Sequence, residues 1–133
     1  MLLVKGFTLF ESLLVLFSTT TLILMLSLTI RSSFADVEEQ MFFREFEYTY
    51  LESQKLSLTE QRSTELQIRN SGIVTPLDTI KLPESVEVEN EQVIQFDKAG
   101  GNSSLAKIVF KTRKKTVTYQ LYIGNGKFKK TES

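Results

Sequence analysis

The stretch Lys5-Gly6-Phe7-Thr8-Leu9-Phe10-Glu11 and the uncharged run behind it, Ser12 to Ile30, decide how the rest of the chain can be arranged. Nineteen residues without a charge, wound at about 1.5 Å each, make a helix of roughly 29 Å, close to the thickness of a bilayer's hydrocarbon core. The segment can span a membrane. One residue sits badly in it: Glu11 lies a single turn inside apolar surroundings, where an unpaired charge costs on the order of 2 to 3 kcal/mol. A cationic partner for that carboxylate is expected.

Lys5-Gly6 followed by Phe7-Thr8-Leu9 and an isolated Glu11 resembles the processing site of type IV prepilins and pseudopilins. The resemblance implies a cut between Gly6 and Phe7 by a prepilin peptidase, N-methylation of Phe7, and a role for Phe7 and Glu11 in assembly. The physics agrees with it. A new α-amino group on Phe7 is a cation at a helix start, and the Glu11 carboxylate of one subunit can pair with the Phe7 amine of its neighbour. A buried pair of good geometry is far less costly than a single buried charge, and it fixes axial register as much as it stabilises. Glycine before the cut lets the backbone enter a protease cleft in extended form. Two other readings of the segment are a general secretory signal, with Ser33-Phe34-Ala35 before a mature start at Asp36, and a plain anchor carrying a stray glutamate. The apolar run is longer than a usual signal core, and both readings leave Glu11 unexplained.

The chain has 133 residues, of which about a hundred lie beyond the apolar segment, room for one small domain. It contains no cysteine and no histidine, which excludes disulfide staples, thiolate or imidazole zinc sites and nucleophile–histidine catalysis. No cofactor and no enzymatic activity are expected. The net charge of zero hides a split. Residues 1 to 97 hold seven Lys or Arg against fifteen Asp or Glu, and residues 98 to 133 hold nine against one. Such polarity suits head-to-tail packing of subunits or attraction of a polyanion to the basic end.

No proline or glycine occurs between Phe7 and Ser71, and helix formers dominate Asp36 to Lys55, so one continuous helix is expected from about Phe7 to Leu58. Its outer half is apolar on two faces. Phe34, Val37, Met41 and Tyr48 form one stripe, while Phe42, Phe43, Phe46 and Tyr50 gather on the other side. One face must cover the protein's own sheet. The second aromatic set, Phe42, Phe43, Phe46 and Tyr50, reads as a helix interface with another subunit, or else as a helix sunk deep in a single core.

From Ser63 the period becomes two. Thr64 to Arg69 alternates, Asn70-Ser71-Gly72 turns, Leu77 to Leu82 offers a short strand, and Val86 to Glu89 with Gln92 to Phe96 make one irregular strand or two. After the loop at Ala99 to Ser103 come strands at Leu105 to Lys111 and Thr116 to Ile123, then Gly124-Asn125-Gly126 and a last strand at Lys127 to Lys130. The expected architecture is α+β: a long N-terminal helix packed on a small antiparallel meander, as the pilin resemblance also implies. It divides into a leader (1–6), a transmembrane or pilus-core helix half (7–30), an amphipathic helix half (31–58) and an extracytoplasmic β domain (59–133).

Gly100-Gly101-Asn102 and Gly124-Asn125-Gly126 lack the lysine, hydroxyl and following helix of a phosphate loop and read as turns. The basic residues Arg113, Lys114, Lys115, Lys127, Lys129 and Lys130, near Tyr119, Tyr122 and Phe128, could hold extracellular DNA by phosphate neutralisation and stacking. Lysine at strand edges and hairpin tips is also a guard against sheet-to-sheet aggregation, so both readings stand.

A narrower resemblance rests on Lys5 to Leu16, on Val37-Glu38-Glu39-Gln40 with Phe42-Phe43 and Glu45-Phe46-Glu47, on Phe96 to Lys107, and on Tyr119-Gln120-Leu121-Tyr122 before Gly124-Asn125-Gly126. It is similar to the competence minor pilins of Gram-positive bacteria. That implies a low-abundance subunit of the transformation pilus, needed for pilus assembly and DNA uptake, working with other competence major and minor pilins. It also implies residence in the cytoplasmic membrane as a single-pass protein, C-terminus outside, before assembly into a cell-surface pilus.

Overall fold

The computed structural model describes residues 2–102, 106–122 and 127–133, with side chains from residue 7 onward. Among the described residues a single helix, α1, runs Leu2–Glu60, and eight strands follow it. They are β1 (Thr64–Arg69), β2 (Gly72–Val74), β3 (Thr79–Ile80), β4 (Glu87–Val88), β5 (Gln92–Phe96), β6 (Lys107–Lys111), β7 (Thr116–Leu121) and β8 (Phe128–Glu132). The chain divides into two units, one ending at Val37 and one comprising Glu38–Ser133.

In the first unit the helix carries its apolar side chains outward along its whole described length, with Phe7 at 74% and Phe17 at 74% exposure. Hydroxyls within the run are satisfied by their own backbone. Thr19, Thr20 and Thr21 donate to the carbonyls of Val15, Leu16 and Phe17, and Ser27 and Thr29 donate to Ile23 and Met25, at 2.7 to 3.1 Å. Such back-bonding meets the polar demand of Ser and Thr within the helix itself, with no partner needed from its surroundings.

In the second unit every strand pairing is antiparallel, and the strands form two four-stranded sheets in place of the one meander expected. Their orders are β3-β2-β1-β5 and β4-β6-β7-β8. The alternation at Thr64 to Arg69 does its work: Thr64, Leu66 and Ile68 point inward, with Glu65 and Arg69 exposed between and beyond them. Val86 to Phe96 resolves into two strands in different sheets. Asn70 holds the crossing: its side-chain oxygen accepts the Val88 amide at 3.0 Å while its own amide donates to Glu91 at 3.0 Å. The Gly72 amide begins β2 immediately after the turn at φ +148°, and a Cβ there would meet the Ile80 carbonyl oxygen at 2.8 Å. The Gly124-Asn125-Gly126 turn, together with Ser103 to Leu105 and Ile123, lies outside the described residues.

The helix extends two residues past the expected end. It stops where Gln61 turns left-handed at φ 53°, its side-chain amide donating to the Leu58 carbonyl at 2.7 Å. Next, the Thr64 hydroxyl donates to the Ser53 carbonyl at 3.1 Å and ties β1 back onto the helix. Near its end the helix is also clamped by the loop after β5. The Asp97 carboxylate accepts the Ala99 and Gly101 amides at 2.9 and 2.8 Å, Gly100 takes φ +74°, and Gln54 donates to its carbonyl at 2.9 Å. A Cβ on Gly100 would sit 2.9 Å from Leu58 Cγ, so only glycine lets the loop lie this close.

The core corrects the sequence reading of the helix faces. Phe42, Phe43, Phe46 and Tyr50, expected at a subunit interface, are buried in this chain's own core. Phe46 meets Phe110 at 5.1 Å and Tyr119 at 5.0 Å, and Tyr50 meets Phe96 of one sheet and Phe128 of the other at 5.0 and 5.1 Å. The reason is on the strands. Phe96, Phe110 and Tyr119 all point inward, and edge-to-face packing of rings against rings gains more than packing against the thioether of Met41. The opposite stripe stays outside: Phe34 and Val37 in the first unit, and Met41 (65%) and Tyr48 (66%) in the second, are exposed.

Candidate assembly site and the basic strands

The residues expected to drive assembly lie on the first unit's helix. Phe7 and Glu11 are four apart, hence one turn apart on the same side of α1, and both are exposed. From Ser12 to Ile30 no charged side chain interrupts the surface. It is the one helix among the described residues long and apolar enough to cross a membrane. Geometry alone therefore offers a lone carboxylate beside a membrane-length apolar cylinder, with no cation from its own chain against it among the described residues. Gly6 is helical in this structure. To enter a cleft in extended form the backbone there must unwind, and glycine, about 1 kcal/mol poorer than alanine in a helix, makes that opening less costly.

The basic strands are arranged for cohesion. Lys130 reaches Glu47 on the helix at 3.6 Å and Glu132 at 3.7 Å, and its ammonium lies 5.5 Å above the Phe43 ring and 5.8 Å from that of Tyr119. Lys115 pairs with Glu132 at 3.0 Å and Lys111 with Glu89 at 3.2 Å. The Tyr119 hydroxyl donates to Glu47 at 3.3 Å. Burial first, and then the Glu47 charge, raise the Tyr119 phenol well above its ordinary range. The hydrogen bond and charge of Lys115, with Lys130 behind it, hold the Glu132 carboxyl below its usual value.

This arrangement does not favour the DNA reading of the basic patch. Lys115 and Lys130 are committed to carboxylates, and two of the three aromatics that would stack on bases are engaged in the core: Tyr119 is fully buried and Phe128 packs on Tyr50 and Tyr119, while Tyr122 is exposed. Arg113 and Lys114 sit at the exposed turn between β6 and β7, Lys129 is exposed on β8, and Lys127 is exposed just ahead of it. The charge split of the sequence is thus partly closed within the chain, where the acidic helix meets the basic sheet. Sequence reasoning missed the Glu47–Tyr119–Lys130 cluster, because its members are up to 83 positions apart in the numbering and only the sheet register brings them together.

The chain is 46% identical over 127 residues to competence protein ComGD of Streptococcus pneumoniae (strain ATCC BAA-255 / R6), covering 96% of this chain and 79% of that relative. No family model matches the chain, and no solved structure does.

Proposed function

Because the chain belongs to the competence minor pilins of the type IV pilin family, we propose that it is a structural subunit that enters the transformation pilus through Phe7, Glu11 and the apolar helix. The precursor rests in the cytoplasmic membrane as a single span with the unit from Glu38 onward outside. Prepilin peptidase cuts between Gly6 and Phe7, and the new amine is methylated. On assembly the helix leaves lipid for a bundle of other competence pilins, major and minor, and the Glu11 carboxylate meets the Phe7 amine of a neighbour. DNA uptake then depends on this subunit through the pilus it helps to build.

The observation that carries the reading is the pairing of an exposed, uncharged helix surface with one carboxylate a single turn from Phe7. An exposed apolar surface of that length has two stable environments, lipid and other apolar helices, and a lone acid in either requires a cation from outside its own chain. The test is Glu11→Ala. The variant is expected to be cut and methylated as before, read by mass spectrometry of the amino terminus, yet to be absent from sheared pili, with transformation lost. Normal incorporation of Glu11→Ala would overturn the pairing, and a mature chain beginning at Asp36 would overturn the whole reading.

A further inference from the structure

Each of the two sheets has two edges, and three of these four are blunted. β3 and β4 are two residues long. β5 is tied at both ends, the Gln92 side chain donating to the Lys107 carbonyl at 2.8 Å and Phe96 bridging to Asn102. β8 is different: its five residues, Phe128–Glu132, pair in unbroken register with Leu121 to Val117, without a bulge or a proline. No described strand lies on its far side, and all of it except half-buried Phe128 is exposed. Short strands, bulges and prolines are how sheet edges are ordinarily protected, and β8 has none of them.

The register decides which backbone groups are open. Thr116 and Ser133 exchange both backbone bonds, at 2.9 and 3.0 Å, and the Tyr122 amide donates to the Lys127 carbonyl at 3.0 Å. Bonded pairs alternate with non-bonded ones along an antiparallel ladder, so residues 127, 129 and 131 turn their backbone groups toward β7. Phe128, Lys130 and Glu132 turn theirs outward, three N–H and three C=O groups in a row. Such a row is matched by a chain in extended form. The side chains around it are selective as well. On the outer face Lys127 and Lys129 are exposed, and Lys129 forms no ion pair among the described residues. On the inner face Lys130 is already neutralised by Glu47 and Glu132, and Phe128 packs on Tyr50. Leu51, one turn past Glu47 on the same side of the helix, is 46% exposed.

We propose that β8 is a docking edge for an extended segment of a different pilus subunit, one that alternates acidic residues over Lys127 and Lys129 with apolar residues over Phe128 and Leu51. The contact rests on the assembly reading, which brings other pilins alongside this chain. A second copy is a poor occupant. Laid antiparallel so that all three outward residues of each are used, it sets Lys130 against Lys130, and like charges directly opposite are destabilising. The lysines thus disfavour a sister strand and attract an acidic one. Backbone bonds supply the hold, and the alternation supplies the choice of partner. The edge takes one strand and is then closed, as suits a subunit present in few copies among others.

The chain has no cysteine, so Thr131→Cys places a single probe on exposed β8 beside the edge. Envelopes from cells producing this tagged full-length chain are labelled with benzophenone maleimide and irradiated, and the adduct peptides are identified by mass spectrometry. The expected adduct is to another pilin, within a segment that alternates acidic and apolar residues. Glu132→Pro and Glu132→Ala both remove the carboxylate, but only proline removes an outward N–H, and it leaves the bonds to β7 intact. The proline chain should give about tenfold less adduct than the alanine chain, the two sharing a Tm within a few degrees. Lys129→Glu, which leaves the backbone alone, should give about fivefold less than the parent and carries the test if proline unfolds the strand. No adduct, a self-adduct, an adduct to a pilin helix or to a protein outside the pilus, equal yields from folded proline and alanine chains, or an unchanged yield from Lys129→Glu overturns the proposal. The chain is scored in sheared pili in parallel. Its presence there without an adduct overturns the edge contact alone, whereas the expected adduct from cells in which Glu11→Ala still enters pili upholds the contact and overturns the Glu11 pairing.

Discussion

Replacing Phe46 with alanine separates the core reading of the aromatic helix face from the interface reading. Phe46 is 1% exposed and rings of Phe110 and Tyr119 stand 5.1 and 5.0 Å from it. Truncating a buried phenylalanine costs about 3–5 kcal/mol through lost transfer free energy and the cavity left behind. Small domains hold only about 5–15 kcal/mol in total, and for a domain near this size each kcal/mol moves Tm by about 4–8 °C. The expected fall is therefore at least about 12 °C. The chain has four tyrosines and no tryptophan, so tyrosine emission reports the core directly: Tyr50 and Tyr119 both touch Phe46. Thermal unfolding of the detergent-solubilised full chain followed by that signal is the assay, with exposed Met41→Ala as a control that should stay within about 0.5 kcal/mol of the parent. A Phe46→Ala chain that melts with the parent but no longer enters pili would refute the core assignment and return these rings to a subunit interface.

Three further outcomes follow from the packing. Gly100→Ala forces a side chain into a left-handed backbone and against Leu58 at 2.9 Å, and should cost about 1–2 kcal/mol from the backbone alone, read as a lower Tm and faster proteolysis after Lys98. The Tyr50 hydroxyl is buried without a hydrogen-bond partner among the described residues, so Tyr50→Phe should leave stability unchanged or raise it by about 1 kcal/mol; a clear loss by denaturant titration would show that the hydroxyl is bonded. Stability should also fall at both ends of the pH scale. Glu132 is held low by Lys115, so its contribution is present above the ordinary carboxylate value and is lost as pH drops through the lowered one. Burial raises Tyr50 to about 12 and raises Tyr119 further; above pH 10 the unfolded chain releases protons that the native chain keeps, and stability declines as pH rises. A Tm flat from pH 10 to 12 would contradict the burial of both phenols.

What the sequence made legible was whatever one residue pattern could decide. Nineteen uncharged residues mark a helix long and apolar enough to cross a membrane, Glu11 marks its oddity, and the alternation of Thr64 to Arg69 gives both a strand and its inward face. The choice between two apolar stripes was not of that kind. Phe34, Val37, Met41 and Tyr48 have the same helical period as the buried set, and periodicity says nothing about which stripe faces the sheet. Phe96, Phe110 and Tyr119, far along the chain, settle it. The division into two sheets was hidden for a similar reason, since it depends on Asn70 bonding to Val88 and Glu91 across 18 and 21 positions. Of the proposed assembly residues, Phe7 and Glu11 were readable because an acid in an apolar run is conspicuous in any sequence. The cohesive role of Lys115 and Lys130 was not, because their carboxylate partners are chosen by strand register.

The threonines of the apolar run have a bearing on reversibility. Since Thr19, Thr20, Thr21, Ser27 and Thr29 return their hydroxyls to the turn beneath them, this stretch asks nothing of its surroundings except that they be oily. Fatty-acyl chains and the flanks of sister helices meet that condition alike. Under the assembly proposed above, the helix would pass from bilayer to bundle and back without breaking and remaking those bonds, and one surface would serve both settings.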